Sequence, residues 1–89
     1  MYEYEIKPFL RKILKKLSKK DKQLYEQVLR KIDEIINSYN IEFYKNLKHN
    51  MKDFKRVHIG HFVLIFKFEK SINKIFFEDF DHHDNIYNK

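Results

Sequence analysis

The sequence contains no cysteine or tryptophan, and only one glycine and one proline. Without cysteine the protein forms no disulfide, has no thiol nucleophile and lacks thiolate ligands for zinc. One glycine and one proline are too few for a collagen-like chain, a flexible linker or a β-sandwich with many tight turns. No apolar run reaches the ~18 residues of a transmembrane helix, and the N-terminus has no signal-peptide pattern. We therefore expect one domain over residues 1–89, located in the cytoplasm and making no membrane contact.

The residue types that are abundant indicate a folded, basic protein. Hydrophobic residues make up 43% of the sequence and aromatic residues 17%, which is more core-forming material than a disordered segment carries. Lysine and arginine outnumber aspartate and glutamate by 19 to 13, giving a formal net charge of +6. A basic surface favours binding to a polyanion such as nucleic acid, although lysine also serves simply to keep a surface soluble.

The first part of the sequence predicts a strand followed by two helices. Apolar and charged residues alternate over residues 2–6, which is the period of a half-buried strand, and Pro8 ends this strand. Proline is tolerated at the first helical position, so Pro8 can also begin a helix. The apolar residues of this helix recur at helical spacing: Phe9, Leu10, Ile13, Leu14 and Leu17. Ser18 and Asp21 resemble a capping box, which predicts a second amphipathic helix reaching Tyr39.

The second part of the sequence changes to the period of β-strands. Val57 and Ile59 alternate with polar residues, Gly60 and the residue after it supply a tight turn, and residues 62–66 form an apolar run that predicts a central strand. A third strand is expected over residues 75–80, and residues 43–48 could add an edge strand. The predicted fold class is α+β, with a two-helix N-terminal hairpin packed on one face of a small, twisted, mainly antiparallel sheet.

The strand before the glycine turn carries candidate functional residues. Arg56 and His58 are two residues apart, so they share the sheet face opposite Val57 and Ile59. Lysines lie on this strand and just before it, interleaved with aromatic residues: Lys45, Lys48, Lys52 and Lys55. Because lysines attract phosphates and aromatic rings stack on bases, this stretch is a candidate RNA-binding surface. The alternative interpretation is an ordinary solvated strand edge.

The C-terminal residues 81–87 are a second concentration of polar groups. His82 and His83 lie between aspartates, and a carboxylate favours the protonated imidazole that an acid catalyst needs. Tyr87 could donate a hydrogen bond or stack on a base. One alternative is an ordinary tail, and another is a metal site built from the histidines with Asp79 or Asp81. We expect no metal, because the spacing of known two-histidine zinc motifs is absent.

Taken in order, these segments resemble a known family of small proteins. A strand and a two-helix hairpin come first, then Arg-Val-His-Ile-Gly at residues 56–60 before an apolar strand, and finally His-His-Asp-Asn-Ile-Tyr at residues 82–87. Over nearly the whole chain this pattern resembles the RelE/ParE superfamily of toxins from type II toxin-antitoxin systems. The resemblance implies the same α+β fold and cleavage of mRNA in the ribosomal A site, with no cofactor. In that reaction a 2′-hydroxyl attacks its own phosphate.

The resemblance also implies roles for individual residues. Arg56 matches a basic residue beside the scissile phosphate, and His58 matches a second site position that is histidine in YafQ-like members. His83 matches the residue that protonates the leaving group, and Tyr87 matches a terminal aromatic that contacts the substrate. Val63 stands where many RelE-like members have arginine.

The implied partners are a cognate antitoxin, in a complex expected to be oligomeric, and the ribosome with its mRNA. Two alternatives keep the same fold. One is a ParE-like inhibitor of DNA gyrase, and the other is a catalytically inactive module that binds RNA or protein. Histidines at both matching positions, His58 and His83, favour the ribonuclease, because a binding module does not require imidazoles there.

Overall fold

The computed structural model describes residues 1–47 and 53–87. Along the chain the elements are β1 (Glu3–Ile6), α1 (Pro8–Lys20), α2 (Lys22–Ile36), β2 (Phe54–Ile59), β3 (Phe62–Glu69), β4 (Lys74–His82) and α3 (His83–Tyr87), with short 3-10 helices at Ile41–Phe43 and Lys70–Ile72. The order of a strand, two helices and three further strands confirms the predicted α+β class. Helix α3 was not expected from the sequence.

The boundary between α1 and α2 lies at Asp21. Its carboxylate accepts the backbone N–H of Leu24 at 3.1 Å and so satisfies one of the free donors at the start of α2. Ser18 lies inside α1, where its hydroxyl donates to the carbonyl of Lys15 at 2.6 Å. The prediction that Ser18 caps the second helix is therefore wrong, because α1 continues to the residue before Asp21.

The outer ends of the two helices follow ordinary rules. Pro8 occupies the first turn of α1, where its missing N–H costs nothing. Helix α2 ends at Ile36, and the side-chain amide of Asn37 donates to the carbonyl of Asp33 at 2.9 Å. The helix does not reach Tyr39 as predicted, and that side chain is almost fully exposed.

The four strands form one mixed sheet in the order β1-β4-β3-β2. Strands β2, β3 and β4 are an antiparallel meander, whereas β1 pairs with β4 in parallel. The central position of β3 agrees with its continuous apolar run, since both of its faces are covered. The mainly antiparallel sheet predicted from the sequence is confirmed.

Gly60 makes the turn between β2 and β3. It has a φ of +62°, which L-residues with a Cβ rarely adopt, while the next residue, His61, does not share this conformation. Glycine at the first central position of a two-residue hairpin is typical of a type II′ turn. The predicted hairpin is confirmed.

Strand β4 contains a β-bulge at Glu78. Ile65 pairs with Asp79 while Phe66 pairs with Phe77, so Glu78 is an extra residue. The bulge reverses the alternation of the strand. Phe77 before it and Phe80 after it therefore both face the helices.

The sheet has apolar clusters on both faces. The larger cluster lies under α1 and α2 and includes Leu10, Val28, Ile35, Phe66 and Phe77. The smaller one lies on the opposite face, under α3, and consists of Leu47, Val63, Ile65 and Ile86, with Phe54 packed against it. Among the described residues, no helix has the length and apolarity needed to cross a membrane.

The segment before β2 is only partly strand-like. Residues Ile41–Phe43 form a 3-10 helix, after which Asn46 makes an isolated antiparallel bridge with Lys55. Two backbone hydrogen bonds hold this segment to the edge of β2, from Arg56 N–H to the carbonyl of Lys45 and from Leu47 N–H to the carbonyl of Phe54. The edge strand predicted over residues 43–48 is therefore absent from residues 43–47. The last residue of that prediction, Lys48, lies outside the described residues.

Candidate functional site

Arg56, His58, His83 and Tyr87 come together on the face of the sheet opposite α1 and α2. The Nη1 atom of Arg56 donates to the Tyr87 hydroxyl at 2.6 Å. The Tyr87 and His83 rings meet edge to face at 5.2 Å between centroids, and the His83 and His58 centroids are 6.3 Å apart. The four residues named from the sequence thus form one continuous cluster.

The strand repeat of two residues and the helix repeat of about four residues explain why these side chains lie together. Arg56 and His58 are two apart on β2 and so point to one face of the sheet. His83 and Tyr87 are four apart on α3 and so lie on one side of that helix. The cluster forms because the shared side of α3 meets the shared face of β2.

Helix α3 is held on the sheet by one buried side chain and by polar contacts in addition to the Arg56–Tyr87 hydrogen bond. Ile86 is almost fully buried in the smaller apolar cluster. The backbone N–H of His83 donates to the carbonyl of His61 at 2.9 Å, which ties the start of α3 to the β2–β3 turn. The Asn85 amide donates to Asp81 Oδ1 at 3.0 Å.

Arg56 has a fixed orientation, and one of its donors is buried without a partner in the described part of the chain. Its guanidinium carbon lies 5.7 Å from the centre of the Tyr87 ring, in addition to the hydrogen bond to the hydroxyl. Its Nε is buried and has no hydrogen-bond partner among the described residues. A guanidinium has five N–H donors in a planar fork, which suits bidentate contact with a phosphate.

His83 is paired with the carboxylate of the next residue. Its Nδ1 lies 2.9 Å from Asp84 Oδ1, and half of the side-chain surface is open to solvent. Because Nδ1 is engaged by the carboxylate, the other ring nitrogen is the one left to exchange a proton with a substrate. The sequence analysis placed the two histidines between aspartates, and the structure shows that Asp84 is the one paired with His83.

The proposed RNA-binding lysines have different environments. Lys45 is exposed and lines an open groove that runs along residues 42–46 to Arg56. Lys55 is buried, and its ammonium group donates to the Tyr44 carbonyl at 3.1 Å and to Asn46 Oδ1 at 2.9 Å. Of the other two, Lys48 and Lys52, neither lies within the described residues.

The two aromatic residues of this segment also differ in their exposure to solvent. Phe43 is 78% exposed at the open groove and could stack on a base. The Tyr44 ring instead packs edge to face on Phe66 of the core at 5.5 Å. Burial raises the pKa of the Tyr44 hydroxyl, and the negative charge of Glu34 adds to this effect. Tyr44 is therefore a neutral core residue near physiological pH.

Comparison with known proteins identifies the family. No protein-family model matches the sequence. A curated protein of Methanocaldococcus jannaschii, named "Putative toxin RelE4", is 53% identical over 90 aligned positions, which cover 100% of this chain and 94% of that protein. The chain belongs to the RelE family of toxins.

Solved structures show the same fold for this RelE-family toxin. The isolated E. coli RelE toxin superposes with a TM-score of 0.71 at 18% identity, covering 99% of this chain and 93% of that one. A chain of the Mycobacterium tuberculosis RelBE2 toxin-antitoxin complex superposes with a TM-score of 0.64 at 15% identity, covering 92% and 98%. The RelE-like fold predicted from the sequence is confirmed.

Proposed function

We propose that this RelE-family toxin is an mRNA endoribonuclease that acts on the ribosome and inhibits translation. The observation that carries the proposal is the convergence of one arginine, two histidines and one tyrosine on a single exposed face. Cleavage by transesterification needs a base for the 2′-hydroxyl, charge stabilisation at phosphorus and an acid for the leaving oxygen. These side chains can supply all three functions without a metal.

The proposed reaction assigns one task to each residue. His58 accepts the proton of the 2′-hydroxyl as the 2′-oxygen bonds to phosphorus. Arg56 neutralises the charge that develops on the phosphoryl oxygens. His83 donates a proton to the 5′-oxygen as the P–O5′ bond breaks, leaving a 2′,3′-cyclic phosphate and a 5′-hydroxyl. Tyr87 orients Arg56 through their 2.6 Å hydrogen bond and contacts the substrate.

The groove beside Arg56 is the proposed path of the RNA. It is lined by Lys45 and by the exposed ring of Phe43, so a phosphate and an unstacked base both have a partner there. Lys55 is not part of this proposal, because its ammonium group is buried and bonded within the protein. Lys48 and Lys52 stay in the proposed RNA-binding set as sequence-based candidates.

A cognate antitoxin is the proposed protein partner, in an oligomeric complex. The support is the fold shared with a chain of a toxin-antitoxin complex. The basic charge of this toxin favours an acidic antitoxin segment. Because ribosomes and mRNA occupy the cytoplasm, the proposal also locates the toxin there. Co-expression with an acidic protein encoded next to it should give a complex that co-purifies and no longer cleaves mRNA.

The direct test uses purified toxin and ribosomes programmed with end-labelled mRNA. We expect wild-type toxin to cut the mRNA in the A site and to leave a 2′,3′-cyclic phosphate. His83→Ala should bind ribosomes normally and cleave at least ~10²-fold more slowly, as expected for loss of a general acid. His61→Ala is the matched control, since His61 is an exposed histidine of the neighbouring turn outside the cluster.

Two results would contradict the proposal. Wild-type rates for His83→Ala would exclude this histidine as the acid. Absence of cleavage by the wild type, together with inhibition of gyrase supercoiling, would support the ParE-like alternative.

A further inference from the structure

His82, His83 and Asp84 form a compact group at the junction between β4 and α3. Each offers a metal-ligating atom, and these three atoms lie within 4.8 Å of one another. Asp84 is at the centre of the group, with Oδ1 2.9 Å from His83 Nδ1 and Oδ2 3.7 Å from His82 Nδ1. Donors bound to one tetrahedral zinc ion at 2.0–2.1 Å lie about 3.3 Å apart, which falls between these two distances.

The ring of His82 is held in place by its neighbours. It stacks on the His61 ring at 6.2 Å between centroids and contacts the Phe62 ring edge to face at 5.5 Å. Its Nδ1 accepts the backbone N–H of Asp84 at 3.2 Å, a long hydrogen bond that a metal ion could replace. A ligand that is already positioned loses less conformational entropy when it binds.

We propose that His82, His83 and Asp84 bind a divalent transition-metal ion of the Zn²⁺ class, and that the bound ion inhibits the toxin. Two imidazoles and one carboxylate are ligands that suit Zn²⁺, Co²⁺ or Ni²⁺ better than Mg²⁺ or Ca²⁺. The ion binds Nδ1 of His83 in place of its 2.9 Å contact with Asp84, so the metal holds this side chain and it is no longer free to serve the reaction. The inhibitory part rests on the proposed function, in which His83 donates the proton to the leaving oxygen.

Metal binding is tested separately from cleavage. Zn²⁺ is titrated into the toxin by calorimetry, and Co²⁺ binding is followed by its visible absorption. Loss of an outer-shell partner of a metal site typically costs 10- to 100-fold in affinity, so His82→Ala and Asp84→Ala, which remove direct ligands, should weaken binding at least ~10-fold. His61→Ala removes only the ring that stacks on His82 and no ligand, so it should weaken binding less than the ligand variants do. Unchanged affinity in His82→Ala, or an equal loss in His61→Ala, would overturn the assigned ligands.

The inhibitory role is tested with the same variants on programmed ribosomes. His82 has no part in the proposed reaction, so His82→Ala should cleave mRNA at the wild-type rate without Zn²⁺. Added Zn²⁺ should inhibit the wild type, reversibly with a zinc-selective chelator, but not His82→Ala. Equal inhibition of both would overturn the inhibitory role. If no form of the protein cleaves mRNA, the proposed function fails while the titrations still decide the metal site.

Discussion

Lys55 and Arg56 are adjacent in the sequence but have opposite environments. On a strand, neighbouring side chains point to opposite faces, so Arg56 shares the site face with His58 whereas Lys55 shares the helix side with Val57. Lys55 is only 7% exposed, and Glu42 lies 3.8 Å from its ammonium nitrogen. The same alternation that placed Arg56 correctly could have separated Lys55 from the RNA-binding candidates.

Replacing Lys55 should destabilise the protein. Lys55→Met leaves the Tyr44 carbonyl and the Asn46 side-chain oxygen without their charged donor, which should cost about 2 kcal/mol of unfolding free energy. The measurement is urea denaturation. Lys45→Ala, a change at an exposed lysine of the same segment, should stay within about 0.5 kcal/mol of the wild type. Equal stability of the two variants would show that the buried ammonium group does not hold this segment.

At the scale of elements, α3 depends on its contacts with the sheet. A helix of 5 residues is far too short to persist by itself in water. The contact that holds it is Ile86, packed against Val63 and Ile65 on the sheet face that carries the site. The fully buried side chain of Val63 provides the apolar surface on which α3 packs.

Truncating Ile86 should therefore remove α3 from the site. We expect Ile86→Ala to cost about 2 kcal/mol of stability, the lower end for a buried isoleucine, because the cluster is small and close to solvent. Amide hydrogen exchange in α3 should accelerate by more than the global stability loss explains, and mRNA cleavage should fall with it. Asn85→Ala, an exposed change on the same helix, should cost less than about 1 kcal/mol. Protected α3 amides in Ile86→Ala would contradict this account.

At the scale of the whole molecule, positive charge lies on both sides of the sheet. Helix α1 has six basic residues and no acidic residue among its 13. Its apolar side packs on the sheet, so most of this charge faces solvent on the side away from the candidate site. The groove with Lys45 adds positive charge near Arg56 itself. This distribution suits a partner such as ribosomal RNA that surrounds the protein with phosphates.

The salt dependence of ribosome binding should separate charge from chemistry. Affinity falls as the salt concentration rises, and each phosphate contact with a single strand adds about 0.7 to the steepness of log affinity against log salt concentration. Lys45→Ala should weaken binding and make the salt dependence less steep by about this amount. Single-turnover cleavage at saturation should stay close to wild type. Lys70→Ala is the control, because this exposed lysine follows the end of β3 that is remote from the glycine turn. Loss of cleavage at saturation in Lys45→Ala would assign this lysine to the reaction instead.

Much of the fold was decided by local periods in the sequence. Residues within a few positions of one another are enough to predict the first strand, the two helices and the Gly60 turn. The same short range explains why Arg56 and His58 share one face. The sequence therefore sufficed to predict these features and the α+β class. The polar C-terminal segment already made His83 and Tyr87 candidates, and the resemblance to a known family added their roles.

Only the tertiary structure determined how distant parts meet. The parallel pairing of β1 with β4, the bulge at Glu78 and the position of α3 all depend on contacts between segments far apart in the chain. The bond between Arg56 and Tyr87 joins residues 31 positions apart, and no local period predicts such a contact. The sequence therefore identified the residues of the candidate site, but packing brings them together. Burial of Ile86 on the sheet places α3 beside β2.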